Sequence, residues 1–261
     1  MHTMERENMT YNLNNPIAER ATKTVYRDGD KTIKLFVENY STANILNEAL
    51  NMSRVLEGTD LYIPKLVEVT KIGNRWALVT EHVEGTPLDK LMAENPDKID
   101  EYMDKFVDIQ MVVLSKEVPL LSAIKDKFRK KLTSTTVIND NTKYELLQRL
   151  EGMKNHTKLC HGDFNPSNVI ITTDGKYHII DWAHATQGNA SADAARTYLL
   201  FAMQGREDLA EKYLDTFTLK SGIEKRNVQR WIPIVAGTQL TKEIKEETEI
   251  LTKWVDIVDF E

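Results

Sequence analysis

The chain has 261 residues, of which 41% are hydrophobic and 28% charged, and this composition excludes disordered, collagen-like and disulfide-rich proteins. Its 34 basic and 40 acidic residues give a net charge of −6, so no basic field favours nucleic acid, and the single cysteine cannot form an internal disulfide. No apolar stretch approaches the length of a membrane span, and the first residues are too polar for a signal peptide. We therefore expect a cytoplasmic protein that has neither nucleic acid nor a membrane as partner.

The N-terminal third predicts a small sheet preceded by a polar arm. Residues 1–15 are rich in Asn and predict a loose arm. Stretches of β-branched and aromatic residues bounded by turn residues predict strands over residues 24–26, 32–36, 65–71 and 75–81. Asp28-Gly29-Asp30 is typical of a hairpin turn between the first two of these strands.

One helix is predicted between the strands of this sheet. Ser41 is a suitable N-cap and Gly58 a suitable stop. A spacing of 3.6 residues predicts a buried stripe of Leu46, Ala49, Leu50 and Leu56.

Long amphipathic helices follow Gly85-Thr86-Pro87. Apolar spacing predicts helices over 99–114, 120–132 and 143–153, and again from Ala192 onward, where Pro233 would kink one of them. Gln110 interrupts the apolar stripe of the first of these and is predicted to be a buried, hydrogen-bonded amide. A strand-rich island over 158–181, with a hairpin turn at 173–176, separates the helices. This order predicts two lobes with a cleft between them, a favoured place for a ligand.

The strongest chemical signal lies in that island, as His161-Gly162-Asp163-Phe164-Asn165-Pro166-Ser167-Asn168 followed by Ile179-Ile180-Asp181-Trp182. These residue types suit phosphoryl transfer, in which the protein positions groups and neutralises an anionic transition state. Asp163 can accept or orient the proton of an attacking hydroxyl. Asn168 and Asp181 can supply the hard oxygen ligands that Mg²⁺ prefers. Upstream, Lys34 in a strand can bind phosphate, and Glu48 on the following helix can pair with it.

This set of residues resembles that of the protein-kinase-like phosphotransferases of the aminoglycoside phosphotransferase and choline kinase group. The run from His161 to Asn168 is similar to their catalytic loop, Ile180-Asp181-Trp182 to their metal-binding motif, and Lys34 with Glu48 to their nucleotide lysine and its partner. The resemblance covers about residues 17–200. It implies an α+β, two-lobed protein-kinase-like fold: after the arm over 1–15, an N-lobe over 16–84 with a small antiparallel sheet and one helix, then a larger, mainly helical C-lobe over 85–261.

The resemblance also implies roles for individual residues. Asp163 would be the catalytic base, and Asn168 with Asp181 would hold Mg²⁺. The backbone of Glu81 and Val83, in the hinge between the lobes, would bind the purine of ATP or GTP. The purine would lie between apolar walls formed by Ile17, Val25, Ile170 and Ile180. His161 and Asp193 would support the catalytic loop.

One stretch departs from the kinase pattern. Kinases cover the phosphates with a glycine-rich loop, but residues 17–25 contain no glycine. Contacts to the phosphates would then come from backbone amides or from the side chains of Thr22 and Lys23.

The leading hypothesis is a small-molecule kinase that uses Mg²⁺ to transfer the γ-phosphate of ATP or GTP to a hydroxyl of an aminoglycoside, amino alcohol or sugar. A non-catalytic, nucleotide-binding module is a second hypothesis, favoured by the missing glycines and opposed by the intact polar set. A metallophosphoesterase is a third, because His-Gly-Asp also occurs at dinuclear metal sites, which need several further His and Asp ligands.

Neither the acceptor nor the oligomeric state follows from these motifs. An acidic cleft would favour a polycationic aminoglycoside, but residues 206–261 hold 12 acidic and 9 basic side chains, too mild a balance to choose. Within that region, the run Lys242–Glu249 is predicted to be the solvated face of a helix.

Overall fold

The structure, a computed structural model, describes residues 11–255. The first elements of this part of the chain are strands of a sheet. Its strands are β1 (Pro16–Arg20), β2 (Lys23–Asp28), β3 (Lys31–Phe36), β4 (Leu66–Ile72), β5 (Arg75–Glu81), β6 (Thr86–Pro87), β7 (Lys158–Cys160), β8 (Val169–Ile171), β9 (Tyr177–Ile179) and β10 (Thr186–Gly188). Its α-helices are α1 (Thr42–Gly58), α2 (Leu88–Glu94), α3 (Ile99–Leu114), α4 (Ile124–Ser134), α5 (Asp140–Gly152), α6 (Ala190–Met203), α7 (Glu207–Ser221), α8 (Lys225–Gln229), α9 (Ile232–Leu240) and α10 (Lys245–Val255). No helix among these residues is long and apolar enough to cross a membrane.

The N-lobe sheet has the antiparallel order β1-β2-β3-β5-β4. Side chains alternate between its faces, so Val25, Lys34 and Leu78, which are direct cross-strand partners, share one face. Ile33 and Leu35 lie on the other face, where Tyr11 packs against them and is itself buried. The predicted loose arm is therefore wrong at residue 11, while residues 1–10 lie outside the described part of the chain.

Helix α1 begins at the predicted cap, since the Ser41 side chain accepts a hydrogen bond from the Asn44 amide at 3.3 Å. The predicted apolar stripe is wrong in part, because Leu46 and Leu50 are 51% and 48% exposed. A shifted stripe is buried instead, and it consists of Ile45, Glu48, Ala49, Asn51, Met52 and Val55. The two polar members of this stripe are buried because the helix packs against the C-lobe as well as the sheet; the Asn51 amide donates to the Ala183 carbonyl at 3.3 Å.

The C-lobe is built on α3, α6, α7 and α9, whose buried side chains share one core. Pro233 lies in the first turn of α9, where a missing N–H costs nothing, so the predicted kink is wrong and the proline begins a helix. Two small antiparallel sheets, β6-β8-β9 and β7-β10, lie beneath the N-lobe and hold the loops of the predicted motif. The predicted α+β class, with an antiparallel sheet followed by a helical part, is confirmed.

The hinge between the lobes passes close to the β6-β8-β9 sheet. A Cβ at Gly85 would lie 2.5 Å from the Ile171 carbonyl oxygen, a distance that no real side chain adopts. Glycine therefore lets the chain pass directly over β8 as it enters the C-lobe.

Candidate active site

The predicted catalytic loop joins β7 to β8, and His161 anchors it from below. The imidazole is fully buried and packs on the Trp182 ring, with centroids 4.5 Å apart. Its Nδ1 accepts a hydrogen bond from the Asp163 amide at 3.3 Å, so the proton is on Nε2, which donates to the Ile180 carbonyl at 3.0 Å. His161 thus connects the catalytic loop to the segment that carries Asp181.

Gly162 has a left-handed backbone, with φ of +76°, that only glycine adopts readily. A Cβ there would lie 2.6 Å from the His184 carbonyl oxygen. The Gly162 amide donates to the Asp193 carboxylate at 2.7 Å, which fixes the loop to the first turn of α6.

Buried polar groups support Asp193 in turn. The Gln110 amide donates to Asp193 at 3.2 Å, and the Tyr213 hydroxyl donates to the Gln110 oxygen at 2.6 Å. Burial raises the pKa of Asp193, although the bond from Gly162 opposes the shift. The predicted buried, hydrogen-bonded state of Gln110 is confirmed, and the structure shows that this amide reaches the catalytic loop through Asp193.

Asp163 lies at the centre of the loop, with its side chain one-quarter exposed. Its Oδ1 accepts from Arg196 Nη2 at 3.0 Å, and its backbone carbonyl accepts from the Asn165 and Asn168 side chains, each at 2.9 Å. Burial alone would raise the pKa of Asp163, but the Arg196 charge, followed by His184 and His161, lowers it below its ordinary value. The carboxylate is therefore ionised and held by the Arg196 guanidinium.

Asp181 faces the same cleft from the other side of the hairpin. Its backbone is left-handed, with φ of 64°, an uncommon conformation for a non-glycine residue that is typical of functional sites. The Asn168 carbonyl accepts from the Ile180 amide at 3.0 Å, so the two predicted metal ligands lie on adjacent segments. Burial would raise the pKa of Asp181, but the charges of Lys34 and Lys23 hold it far below its usual range.

The N-lobe contributes two lysines to this carboxylate. Lys34 forms an ion pair with Glu48 and lies 3.4 Å from Asp181, so the predicted lysine–glutamate pair reaches the C-lobe. Burial alone would lower the pKa of Lys34, but Asp181 and then Glu48 raise it. Lys23, at the start of β2, lies 3.0 Å from the second Asp181 oxygen. Lys23 belongs to the stretch where kinases carry glycines, and the sequence indicated it as a candidate for contact with the phosphates.

The predicted purine-binding residues lie around the hinge. The Glu81 amide donates a hydrogen bond to the Lys65 carbonyl at 2.9 Å and is therefore not available to a purine. The Val83 amide, by contrast, has no hydrogen-bond partner within residues 11–255. Val25 shares the sheet face of Lys34, and Ile170 and Ile180 belong to the segments below it. Ile17 is half exposed. The register of β1 shifts at this residue, so that Ala18, and not Ile17, is the direct cross-strand partner of Val25.

The donor chemistry of Asn168 and Asp181 fits a magnesium ion. Asn168 uses its nitrogen to bond the Asp163 carbonyl, which leaves its side-chain oxygen as a ligand, and Asp181 supplies an ionised carboxylate. Across residues 11–255 no three His, Cys, Asp or Glu side chains cluster as a metal site, so the further ligands of a dinuclear phosphoesterase are not found there.

Four cations near the catalytic loop were not predicted to belong to the site. Arg196 follows Asp193 by one turn of α6, and Lys127 and Lys131 lie on α4. Lys242, predicted on a solvated helix face, instead lies in the loop before α10 and lines a cavity with the other three. The sequence carried no signal for this cluster, because its members come from three distant segments.

Solved structures and a family model both agree with this geometry. The fold is that of solved kinase-like phosphotransferases. One is a thermostable mutant of aminoglycoside phosphotransferase APH(4)-Ia in a ternary complex with ADP and hygromycin B, with a TM-score of 0.67, 13% identity, and coverage of 92% of this chain and 89% of that one. Another is choline kinase LicA from Streptococcus pneumoniae, with a TM-score of 0.61, 17% identity, and coverage of 89% and 84%. Aminoglycoside phosphotransferase APH(3'')-Id from Streptomyces rimosus has a TM-score of 0.61 and 18% identity, and covers 86% and 92%.

The sequence also matches a known family over part of its length. Residues 127–228, about two-fifths of the chain, match the model of the phosphotransferase enzyme family, and no curated protein matches. The matched segment contains the catalytic loop, Asp181 and the whole of α6. The predicted resemblance is thereby confirmed, and the family match indicates a phosphotransferase.

Proposed function

We propose that the protein is a small-molecule kinase, which transfers the γ-phosphate of ATP, or GTP, to a hydroxyl group. The observation that carries this proposal is the continuous set of contacts from Glu48 through Lys34 to Asp181, and from Asn168 to Asp163. The nucleotide lysine of one lobe and the catalytic loop of the other thus meet at one cleft.

The nucleotide would bind between the lobes. The Val83 amide, unpartnered among the described residues, is a hydrogen-bond donor for the purine, and Val25, Ile170 and Ile180 supply apolar surface above and below it. Lys34, held by Glu48, would bind the phosphates. The fold neighbour described above binds ADP, which supports an adenine nucleotide as co-substrate.

Asn168 and Asp181 would hold Mg²⁺, which neutralises charge on the phosphates when bound. The Lys23 ammonium group donates a hydrogen bond to one carboxylate oxygen of Asp181 at 3.0 Å. Once that oxygen serves as a metal ligand, the ammonium group would turn toward the phosphates from the start of β2. A side chain would then replace the amides that a glycine-rich loop supplies in other kinases.

The transfer itself needs one protein base. The acceptor oxygen attacks the γ-phosphorus, the bond from that phosphorus to the β–γ bridging oxygen breaks, and the nucleoside diphosphate leaves with the bond electrons. The hydroxyl proton passes to the Asp163 carboxylate. Because Arg196 keeps the pKa of Asp163 low, the carboxylate mainly orients the hydroxyl and accepts its proton late, as a loose transition state permits.

The test is the variant Asp163→Asn, with Asp97→Asn as a control, since Asp97 is exposed and far along the chain from the site. We expect kcat for ADP release with an accepted alcohol to fall about 10²–10⁴-fold in the first variant and to stay unchanged in the second. Calorimetry should show undiminished binding of Mg·ADP to both. Full turnover in Asp163→Asn would refute the assignment, and nucleotide binding without ADP release in the wild-type protein, with every alcohol tried, would favour the non-catalytic module.

A further inference from the structure

A cavity opens beside the catalytic loop, bounded by α4, the turn after Asp181, α6 and α9. We name it the cationic cavity after the four basic side chains that line it, which are Lys127, Lys131, Arg196 and Lys242. Gly162 and His184 belong to its wall, so it lies directly against the loop that carries Asp163.

Among the described residues, the three lysines of this cavity have no carboxylate in contact with them, whereas Arg196 is paired with Asp163. Within residues 11–255, none of the three lysines has a carboxylate oxygen within 4.0 Å, and Lys127 donates instead to the His184 carbonyl at 3.0 Å. Asp193 also lines the cavity, but its carboxylate is used by the Gly162 amide and by Gln110. Unpaired cations held this close together repel one another, and a bound anion removes that cost.

Burial and the neighbouring charges both disfavour the charged form of these lysines. Burial, and then the charges of Lys131, Lys242 and Arg196, lowers the pKa of Lys127 to about 8. Burial and Arg196 also lower the pKa of Lys131. Titratable groups with such perturbed pKa values cluster at functional sites in proteins.

Two buried polar atoms on the cavity wall also have no partner among the described residues. These are Arg196 Nη1 and Thr186 Oγ1, on residues that are 8% and 2% exposed. Buried donors are nearly always satisfied in folded proteins, so this pair indicates a ligand with acceptor oxygens. A carboxylate or a phosphate group provides such oxygens together with the negative charge.

The Arg196 guanidinium lies between the cavity and Asp163, the proposed base. Its Nη2 donates to Asp163 at 3.0 Å, while Nη1 of the same planar group is the unpartnered atom. An anion that accepts from Nη1 is therefore held by the same group that orients the catalytic carboxylate. A polycationic acceptor would meet like charge at the same place.

We propose that the cationic cavity binds an anionic group of the phosphate acceptor, so that the acceptor is a hydroxy compound bearing a carboxylate or a phosphate. This inference rests on the proposed function, because it assigns the acceptor of the same reaction. It narrows the expectation from the sequence, which was an aminoglycoside, an amino alcohol or a sugar, to an acceptor that bears an anionic group.

The test uses four compounds with one three-carbon skeleton: glycerol, 3-amino-1,2-propanediol, glycerate and glycerol 3-phosphate. Binding to the full-length protein is measured first, without nucleotide, by calorimetry at millimolar ligand. We expect heat of binding with glycerate or glycerol 3-phosphate, and none with the neutral or the cationic diol. Stronger binding of glycerate would assign a carboxylate, and stronger binding of glycerol 3-phosphate a phosphate.

Variants then locate the bound anion. Lys131→Gln should weaken its binding about tenfold, since a half-buried charge pair is lost. Lys130→Gln is the matched control, because Lys130 is exposed on the same helix and does not line the cavity. Equal binding to wild type and Lys131→Gln would place the anion elsewhere, for instance at Lys23 and Lys34, and would overturn the proposal.

Turnover separates this inference from the proposed function. ADP release with glycerate or glycerol 3-phosphate, at rates above those with the other two compounds, would support both. Anion binding that Lys131→Gln weakens, without ADP release from any alcohol, would support the cavity and refute the kinase activity. ADP release with the neutral or cationic diol, together with no anion binding, would support the kinase and overturn the acceptor class.

Discussion

Gly162 offers a direct test of how tightly the catalytic loop is constrained. The change Gly162→Ala adds one methyl group in a left-handed backbone, with φ of +76°, at 2.6 Å from the His184 carbonyl oxygen. The left-handed conformation costs an alanine about 1–2 kcal/mol. The contact with a backbone atom adds about 1–3 kcal/mol, because neither segment can move without shifting buried neighbours. We therefore expect a loss of about 2–5 kcal/mol in the free energy of unfolding.

Gly175→Ala is the matched control for this change. Gly175 has nearly the same backbone, with φ of +79°, but a methyl group added there, at the tip of an exposed hairpin, would have nothing within 4 Å. The free energy of unfolding of this variant should fall only by the conformational cost of about 1–2 kcal/mol. The difference between the two variants isolates the contact with His184.

Urea denaturation followed by circular dichroism measures both losses, and steady-state ADP release measures the effect on chemistry. Since Asp163 is the next residue, a displacement of the loop by a few tenths of an ångström should lower kcat about tenfold or more in Gly162→Ala. Gly175→Ala should retain wild-type kcat. Equal stability of the two variants, with full activity in both, would refute the view that this close contact positions Asp163.

Two further predictions concern the charged groups of the cleft. Lys23→Met should raise the KM for ATP about tenfold, since a charge-assisted contact to phosphate is lost, and an unchanged KM would show that Lys23 does not reach the nucleotide. Binding of glycerate should be strongest below pH 8 and weaken as pH rises through that value, because burial lowers the pKa values of Lys127 and Lys242 to about 8 and a neutral amine no longer attracts an anion. Calorimetry across this range tests the second prediction, and constant affinity would contradict it. The other charged or titratable groups around the cavity are Lys131, His184, Asp193, Arg196 with its partner Asp163, Lys242 and, beyond Lys242, Glu247.

The features that could be predicted from the sequence were those encoded within short segments. The run from His161 to Asn168 and the hairpin before Asp181 indicate a phosphotransferase because the spacing is fixed locally. The predicted strands and helices likewise follow from local alternation and 3.6-residue spacing. Their order was sufficient to predict two lobes, and the family resemblance of the motifs implied the α+β fold.

The features that could not be predicted depend on contacts between distant segments. The buried face of α1 was misassigned because Glu48 and Asn51 face Lys34 and the C-lobe, so polar side chains are buried where Leu46 and Leu50 are not. The cationic cavity was missed for the same reason. Its basic residues are scattered along a chain whose overall charge is −6, and only the packing of α4 and α6 against α9 brings them together.

Arg196 lines the cavity and also contacts Asp163, and this limits how the acceptor class could change among related proteins. Lys127, Lys131 and Lys242 can each be exchanged without changing a direct contact of the Asp163 carboxylate, so substitutions at these positions can occur one at a time. Arg196 cannot change independently in this way, because the guanidinium that faces the cavity also holds Asp163. A lineage that moved to a cationic acceptor would therefore have to replace Arg196 and the orientation it gives Asp163 in the same step, and this makes the arginine a barrier between anionic and cationic acceptors.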